Sequence, residues 1–360
     1  MRENDDKIKP LGLSTSSLAL LLVFIGTITI LYGCSKSSDD TDDDLVGNWA
    51  RRSEFEGVGR TEAVSFTIGN KVYVGGGFDG NDRLTDFWAF DESTGTWLSK
   101  APFPGTPRNS AVAFSINGKG YLGTGYDEND NKLKDFWEYD PATDVWTRKA
   151  DFAGTARYNA VGFSIGQKGY ISTGYDGNYL KDLWEYTPGI TSTDPGTWTQ
   201  KASLTGSKRT EAVVFVYNNL AYVVSGFNNG SYLNDFWVYN PATNAWTEKR
   251  KINDVDEDND DYDDDYDDNI RRGNAVAFVM GNKAYLSCGT RSGVLGTTWE
   301  YDIDNDIWQQ KTGFEGTARE GAIGFTVNGK GFIVTGTNSS YRFDDLWEFF
   351  PGAEQSDDDN

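Results

Sequence analysis

Residues 108–146 read RNSAVAFSINGKGYLGTGYDENDNKLKDFWEYDPATDVW, and the pattern in this stretch decides the fold. Apolar and polar residues alternate over 111–116 and 119–122, and a Thr-Gly step follows at 124–125. An Asp-x-Trp-x-aromatic segment then occupies 135–139, and a second tryptophan stands at Trp146. Short runs with a two-residue period, separated by Gly and Asn turns, predict a four-stranded antiparallel sheet.

The same unit recurs along the chain at intervals of about 50 residues. The 12 tryptophans fall in pairs at 88/97, 137/146, 184/198, 237/246 and 299/308, with Trp49 and Trp347 left single. Each unit begins with an arginine, and these are Arg60, Arg108, Arg157, Arg209, Arg272 and Arg319. One such sheet cannot bury both faces, whereas six arranged radially bury them against each other. The sequence therefore predicts an all-β fold, a six-bladed β-propeller.

Tryptophan spacing predicts how the ring closes. Each second tryptophan precedes the next arginine by 11 residues in four units, and Trp49 precedes Arg60 by the same 11. Trp49 is therefore assigned to the outer strand that the last blade lacks after Trp347, so that the N-terminal strand completes that blade and removes an open edge. Between Trp246 and Arg272 the spacing is 26 residues, which indicates an insertion of 15.

The units resemble the kelch repeat, and the resemblance covers the chain from Trp49 to Phe350. Kelch repeats usually carry a Gly doublet, which only Gly76-Gly77 keeps, and a small residue precedes the glycine in the other units. Cys288 occupies this position in unit five and is predicted to be a buried small side chain. The same unit carries Thr297 where the others have Asp, which predicts a looser blade.

The N-terminal segment reads as a targeting sequence. Residues 18–32 form an apolar run too short for a comfortable membrane span, and it ends in Leu31-Tyr32-Gly33-Cys34, which resembles a bacterial lipobox. The resemblance implies a signal peptide over 1–33, a lipidated Cys34, an acidic tether over 34–45 and the propeller over 46–351, followed by an acidic tail at 352–360. Because the tether resembles the export signal of Bacteroidota surface lipoproteins, we expect a surface-exposed outer-membrane lipoprotein that contacts the membrane through its lipid alone. The alternative is an uncleaved signal anchor.

Composition excludes several classes of function. The net charge of −22 disfavours nucleic-acid binding, and the absence of histidine excludes Ser-His-Asp hydrolysis and His-bound metals. Two cysteines cannot build a disulfide framework. Acidic runs at 39–44, 254–268 and 354–359 hold 20 of the acidic residues and no basic ones, so the remainder of the chain, which includes the predicted propeller, is nearly neutral. We expect the protein to be a monomer.

The acidic insertion at 254–268 is a weak candidate for a cation site. Asp254, Asp256 and Asp258 alternate as the first ligands of a calcium loop do, but Asn259 stands where an EF-hand turn needs Gly. Specific Ca²⁺ binding, diffuse attraction of cations and a plain solvated loop all remain open. We expect no other cofactor.

The six leading arginines support two alternatives. Around the channel mouth of a propeller they would form a positive ring able to bind carboxylates, with Arg272 the foremost candidate. Alternatively, each pairs with the aspartate that begins the third strand of its own unit, and these are Asp86, Asp135, Asp182, Asp235 and Asp345.

Aromatic residues also cluster near the expected mouth. They are Tyr158, beside an arginine, and Phe78, Tyr126, Tyr175 and Phe227, which follow the small-residue-Gly steps. Such rings, next to amides and carboxylates, are suited to gripping sugars, although packing between blades would also explain them.

The sequence therefore predicts a lipid-anchored module that binds a glycan or an anionic peptide or protein without catalysis. A second hypothesis is a carbohydrate enzyme similar to the kelch-type sialic acid mutarotases, using Glu62, Glu211 or Glu320; a third is a purely structural scaffold. Galactose oxidase, another kelch-type enzyme, is excluded because its copper site needs histidine and a Tyr-Cys crosslink.

Overall fold

The computed structural model describes residues 45–191, 193–252 and 270–355, and within them all regular structure is β-strand. From inner to outer strand, blade 1 contains β2 (Val64–Ile68), β3 (Lys71–Gly75), β4 (Phe87–Asp91) and β5 (Thr96–Lys100). Blade 2 contains β6 (Val112–Ile116), β7 (Lys119–Gly123), β8 (Phe136–Asp140) and β9 (Val145–Arg148). Blade 3 contains β10 (Val161–Ile165), β11 (Lys168–Ser172), β12 (Leu183–Thr187) and β13 (Thr197–Lys201).

Blades 4 to 6 repeat this order. Blade 4 contains β14 (Val213–Tyr217), β15 (Leu220–Val224), β18 (Phe236–Asn240) and β19 (Ala245–Glu248). Blade 5 contains β20 (Val276–Met280), β21 (Lys283–Ser287), β22 (Thr298–Asp302) and β23 (Ile307–Lys311). Blade 6 contains β24 (Ile323–Val327), β25 (Lys330–Val334), β28 (Asp345–Phe350) and β1 (Asn48–Glu54). Two short hairpins lie on blades 4 and 6, β16 (Phe227–Asn228) with β17 (Ser231–Tyr232), and β26 (Thr337–Asn338) with β27 (Tyr341–Arg342). Inner strands of successive blades touch in sequence, and β24 touches β2, so the six-bladed propeller is confirmed.

The predicted ring closure is also confirmed. Strand β1 pairs antiparallel with β28, with Trp49 opposite Phe349 and Arg51 opposite Trp347. The Trp49 side chain is fully buried, and its ring lies 5.0 Å from Phe314 and 4.5 Å from Phe349. The first strand of the domain thus supplies the outermost strand of its last blade.

The core lies between neighbouring blades and depends on complementary residue sizes. Phe66, Phe114 and Phe278 on inner strands project onto glycines in the second strand of the next blade. A Cβ at Gly120, for example, would lie 2.3 Å from the Phe66 ring. The glycine therefore makes room for the ring at these three blade boundaries.

The small-residue-Gly steps owe their composition to the backbone. Both residues of each step have positive φ, such as +62° at Thr173 and +93° at Gly174. A Cβ at Gly174 would lie 2.9 Å from the Tyr158 carbonyl oxygen, so only glycine fits the second position. The first position tolerates a side chain. Cys288 occupies it fully buried, as predicted, and burial raises the pKa of its thiol to about 11.

Several predicted features lie outside the described residues. They are the signal peptide, Cys34, the acidic tether up to residue 44, the calcium candidates Asp254, Asp256 and Asp258, and the end of the acidic tail. The part of the chain that is described contains no helix of the length and apolarity needed to cross a membrane.

Candidate functional site

The six leading arginines lie inside the blades. Each guanidinium is at most 1% exposed. In blade 2, Arg108 donates two hydrogen bonds to the carboxylate of Asp135, at 2.6 and 2.7 Å, and a third to the Thr124 carbonyl oxygen. Arginines in blades 1, 3 and 6 pair in the same way with Asp86, Asp182 and Asp345, whereas Arg209 in blade 4 donates to only one carboxylate oxygen of Asp235. The geometry therefore supports the ion-pair alternative for these five.

Blade 5 lacks the aspartate but keeps its arginine buried. Arg272 donates to the Thr297 hydroxyl at 2.7 Å and to the Cys288 carbonyl oxygen at 2.7 Å. Its guanidinium is no more exposed than the other five. The expected Arg-lined mouth, with Arg272 as its foremost candidate, is therefore corrected: each guanidinium is buried and donates to a backbone carbonyl oxygen at the small-residue-Gly step of its own blade.

The channel mouth is formed instead by the residues two positions after each arginine. This mouth ring consists of Glu62, Ser110, Asn159, Glu211, Asn274 and Gly321. All six have positive φ, between 49° and 61°. Each backbone N–H donates to the carbonyl oxygen of the preceding member, at 2.8 to 3.2 Å, and Glu62 closes the circle by donating to Gly321. Since the backbone N–H groups of the mouth ring already donate to one another's carbonyl oxygens, side chains are the hydrogen-bond donors that remain for a ligand at the mouth.

The mouth ring surrounds a cavity of about 180 Å³. Next to it lies a second cavity of about 210 Å³, lined by one alanine from each blade and by Val, Ile, Ala, Gly and Ser residues at the start of the inner strands. Two cavities thus occupy the channel, and the one at the mouth ring is lined by Glu and Asn side chains. A purely structural scaffold would be favoured by a mouth that its own side chains fill. The described side chains leave a cavity there instead.

The carboxylate of Glu62 is anchored. Its Oε2 accepts hydrogen bonds from Asn109 Nδ2 at 2.6 Å and from the Ser110 hydroxyl. Asn109 Oδ1 in turn accepts a hydrogen bond from Arg83 Nε at 2.7 Å, so the Asn109 side chain connects the guanidinium of Arg83 to the carboxylate of Glu62. Gly321 leaves room for Glu62, because a Cβ there would lie 3.2 Å from Glu62 Cγ and 2.3 Å from Thr61 Oγ1.

The carboxyl group of Glu211 differs from that of Glu62 in having a raised pKa. Burial, followed by repulsion from Glu62 and Glu320, raises the pKa of Glu211 to about 7. Burial also raises the pKa of Glu320, whose Oε2 lies 3.4 Å from Asn274 Nδ2. The mouth therefore brings together the three glutamates named from the sequence and gives two of them an increased proton affinity.

Aromatic side chains line the rim on one side of the mouth. We call this set the aromatic arc; it comprises Tyr126, Tyr158, Tyr175, Tyr179, Phe227 and Tyr232, all partly exposed. Successive ring centroids lie 4.7, 5.7, 5.2, 6.1 and 5.1 Å apart. Four of the five aromatic residues predicted from the sequence belong to it. The fifth, Phe78, connects through Arg83, whose guanidinium lies 4.6 Å from the Tyr126 centroid and 5.7 Å from that of Phe78.

Sequence reasoning missed Ser110, Asn159 and Asn274 at the mouth, and Tyr179 and Tyr232 in the arc. A signal for the first three was present, since each stands between a leading arginine and the alanine that follows. Asn is also enriched at positive φ, as this position requires. Among the described residues no cluster of Cys, Asp or Glu has the geometry to hold a metal ion.

Comparisons with known proteins agree with this architecture. The family model of the kelch motif matches residues 59–104 and 208–251, which correspond to blades 1 and 4. No curated protein matches the sequence. Among solved structures, that of YjhT superposes with a TM-score of 0.66 at 15% identity, covering 82% of this chain and 95% of that one. At this identity the likeness shows the fold alone.

Proposed function

We propose that this chain, a six-bladed β-propeller that carries kelch motifs, binds an uncharged saccharide at the mouth ring without catalysis. The observation that carries the proposal is the convergence of Glu62, Asn159, Glu211 and Asn274 beside the aromatic arc. Carboxylates and amides accept and donate hydrogen bonds to sugar hydroxyls, and aromatic rings cover the apolar faces of sugars.

The charge at the mouth decides which ligand is favoured. Glu62 and Glu211 line it and Glu320 lies near enough to repel Glu211, whereas the six leading arginines are buried in ion pairs and hydrogen bonds within the blades. Arg83 at the rim is already bonded to Asn109. Like charges repel, so an anionic peptide or an acidic sugar is disfavoured relative to a neutral one. These charges support a neutral glycan over the anionic peptide or protein that the sequence also allowed.

A glycan array probed with the full-length chain tests this function, followed by calorimetry on the best neutral hit. We expect Asn159→Ala and Glu211→Ala each to weaken binding about five- to tenfold, because each removes a hydrogen-bonding partner. Glu248→Ala is the matched control: it lies in the outer strand of the same blade as Glu211, is exposed, and should leave affinity unchanged. Tighter binding of anionic than of neutral glycans would overturn the proposal.

Acid–base catalysis on a sugar is the second candidate, favoured by one observation. A carboxyl group whose pKa is about 7 can both donate and accept a proton at neutral pH, as the interconversion of sugar anomers requires. Anomer interconversion followed by NMR would show acceleration by the wild type, lost in Glu211→Gln. If the rate with protein equals the spontaneous rate for every array hit, the non-catalytic function is retained.

The lipid anchor at Cys34 is part of the same proposal. A lipidated, surface-exposed propeller would present its mouth to external glycans. Incorporation of a labelled fatty acid tests the anchor: the wild type should be labelled and Cys34→Ala should not. Equal labelling of both would favour the uncleaved signal anchor instead.

A further inference from the structure

The aromatic arc is continuous across blade boundaries. Tyr126 of blade 2 lies 4.7 Å from Tyr158 of blade 3, and Tyr179 of blade 3 lies 6.1 Å from Phe227 of blade 4. Adjacent rings meet at angles of 48° to 67°, so these partly exposed side chains form one continuous row of edge and face contacts along the rim of blades 2 to 4.

The remainder of the rim is different. The positions equivalent to Tyr175 and Phe227 carry Thr290 in blade 5 and Thr337 in blade 6. Gly273 occupies the position of Tyr158 in blade 5, and a Cβ there would meet Glu211 Oε2 at 2.6 Å. The rim thus carries a row of contacting aromatic rings over blades 2 to 4, whereas the equivalent positions in blades 5 and 6 carry Gly273, Thr290 and Thr337.

The mouth cavity is small compared with this surface. Its volume of about 180 Å³ is below the roughly 300–1,000 Å³ typical of pockets that enclose a whole drug-sized ligand. One sugar unit is comparable in size to one or two of the six rings. A monosaccharide at the mouth would therefore leave most of the aromatic arc uncovered.

We infer that the ligand is a neutral, curved oligosaccharide chain, with one terminal sugar at the mouth ring and the following sugars stacked along the aromatic arc. This rests on the proposed saccharide-binding function and adds the length and shape of the ligand. Tyrosine hydroxyls along the arc supply hydrogen bonds to the sugar edges while the rings cover apolar faces. Chains with β-1,3 linkages curve and present such faces, so they fit a surface that bends around a channel.

Calorimetry with β-1,3-linked glucose oligomers, from glucose to the hexasaccharide, tests the inference on the full-length chain. Affinity should rise with each unit up to about four and then level off. Tyr179→Ala should weaken binding of the hexasaccharide about three- to tenfold, as expected for the loss of one aromatic contact, and leave that of glucose unchanged. Glu211→Ala should weaken binding of both.

Two variants separate stacking from folding. Tyr179→Phe keeps the ring and should retain most of the affinity for the hexasaccharide. Tyr341→Ala removes a ring that is 61% exposed on blade 6, outside the aromatic arc, and should have no effect. Equal affinity for glucose and hexasaccharide, or no binding of any member of the series, would overturn the inference. The proposed function would survive either result if the array identifies another neutral glycan that depends on Glu211, and would fail with it if no neutral glycan binds.

Discussion

Single side chains decide the strength of each blade. In five blades the aspartate that pairs with the leading arginine also accepts a hydrogen bond from the indole two residues later, as Asp135 does from Trp137 at 2.7 Å. Blade 5 carries Thr297 at this position, and the Nε1 of Trp299 is buried without a hydrogen-bond partner. A buried donor without a partner costs free energy.

Restoring the aspartate should therefore stabilise blade 5. We expect Thr297→Asp to raise the free energy of unfolding by about 1 kcal/mol, since it offers a charged acceptor to Trp299. Urea denaturation measures the change. In a Trp299→Phe background the gain should shrink, because the indole donor is gone; an undiminished gain would contradict this explanation.

The proton affinity of Glu211 predicts a stability that depends on pH. The pKa of this carboxyl is about 7 in the folded protein and near 4.5 in the unfolded chain, so the folded state holds the proton more tightly. The wild type should lose stability as pH rises from about 4.5 to 7, on the order of 2 kcal/mol.

Glu211→Gln removes this contribution. The variant should match the wild type in Tm near pH 4.5 and exceed it at pH 8, as measured by thermal unfolding across this range. Identical Tm curves for the two proteins at every pH would mean that the carboxyl titrates normally.

At the scale of the strand and turn, each blade depends on two consecutive residues in the left-handed region. The second position admits only glycine because the chain of the same blade passes against it, as the Tyr158 carbonyl oxygen does at Gly174. The first position, such as Thr173, needs only the unusual φ, and the Thr173 hydroxyl is buried without a hydrogen-bond partner.

Adjacent substitutions distinguish these two requirements. Gly174→Ala should destabilise the protein by about 2 kcal/mol or more, because it adds a clash to a strained φ. Thr173→Gly should be neutral or slightly stabilising, since it relieves strain and removes a hydroxyl that lacks a partner. Chemical denaturation of both variants provides the comparison, and equal losses would contradict the assignment.

The repeat made the strands and the ring closure predictable, whereas the site was only partly so. Spacing of tryptophans and arginines records the period of the blades, but it does not record the direction of a side chain. Arg108 and Ser110 are two residues apart, yet one is buried in its blade and the other lines the mouth. The positive φ at Ser110 turns the chain between them, and composition alone gives little sign of it.

At the scale of the molecule, the propeller is closed by a seam, the pairing of β1 with β28 in blade 6. Trp49→Ala should lower the free energy of unfolding by about 3–5 kcal/mol, because this indole is fully buried where β1 joins blade 6. Trp198→Ala, in the outer strand of blade 3, removes a partly exposed indole away from the seam and should cost less. Equal costs would mean that the seam contributes no more than another outer strand.

A crystal structure of the full-length chain soaked with its tightest-binding saccharide tests the central claim most directly. We predict that one sugar unit lies at the mouth ring within hydrogen-bonding distance of Glu211 and Asn159, and that further units follow the aromatic arc. A saccharide bound elsewhere, such as the groove beside Tyr341 and Arg51 on blade 6, with an empty mouth, would contradict the account.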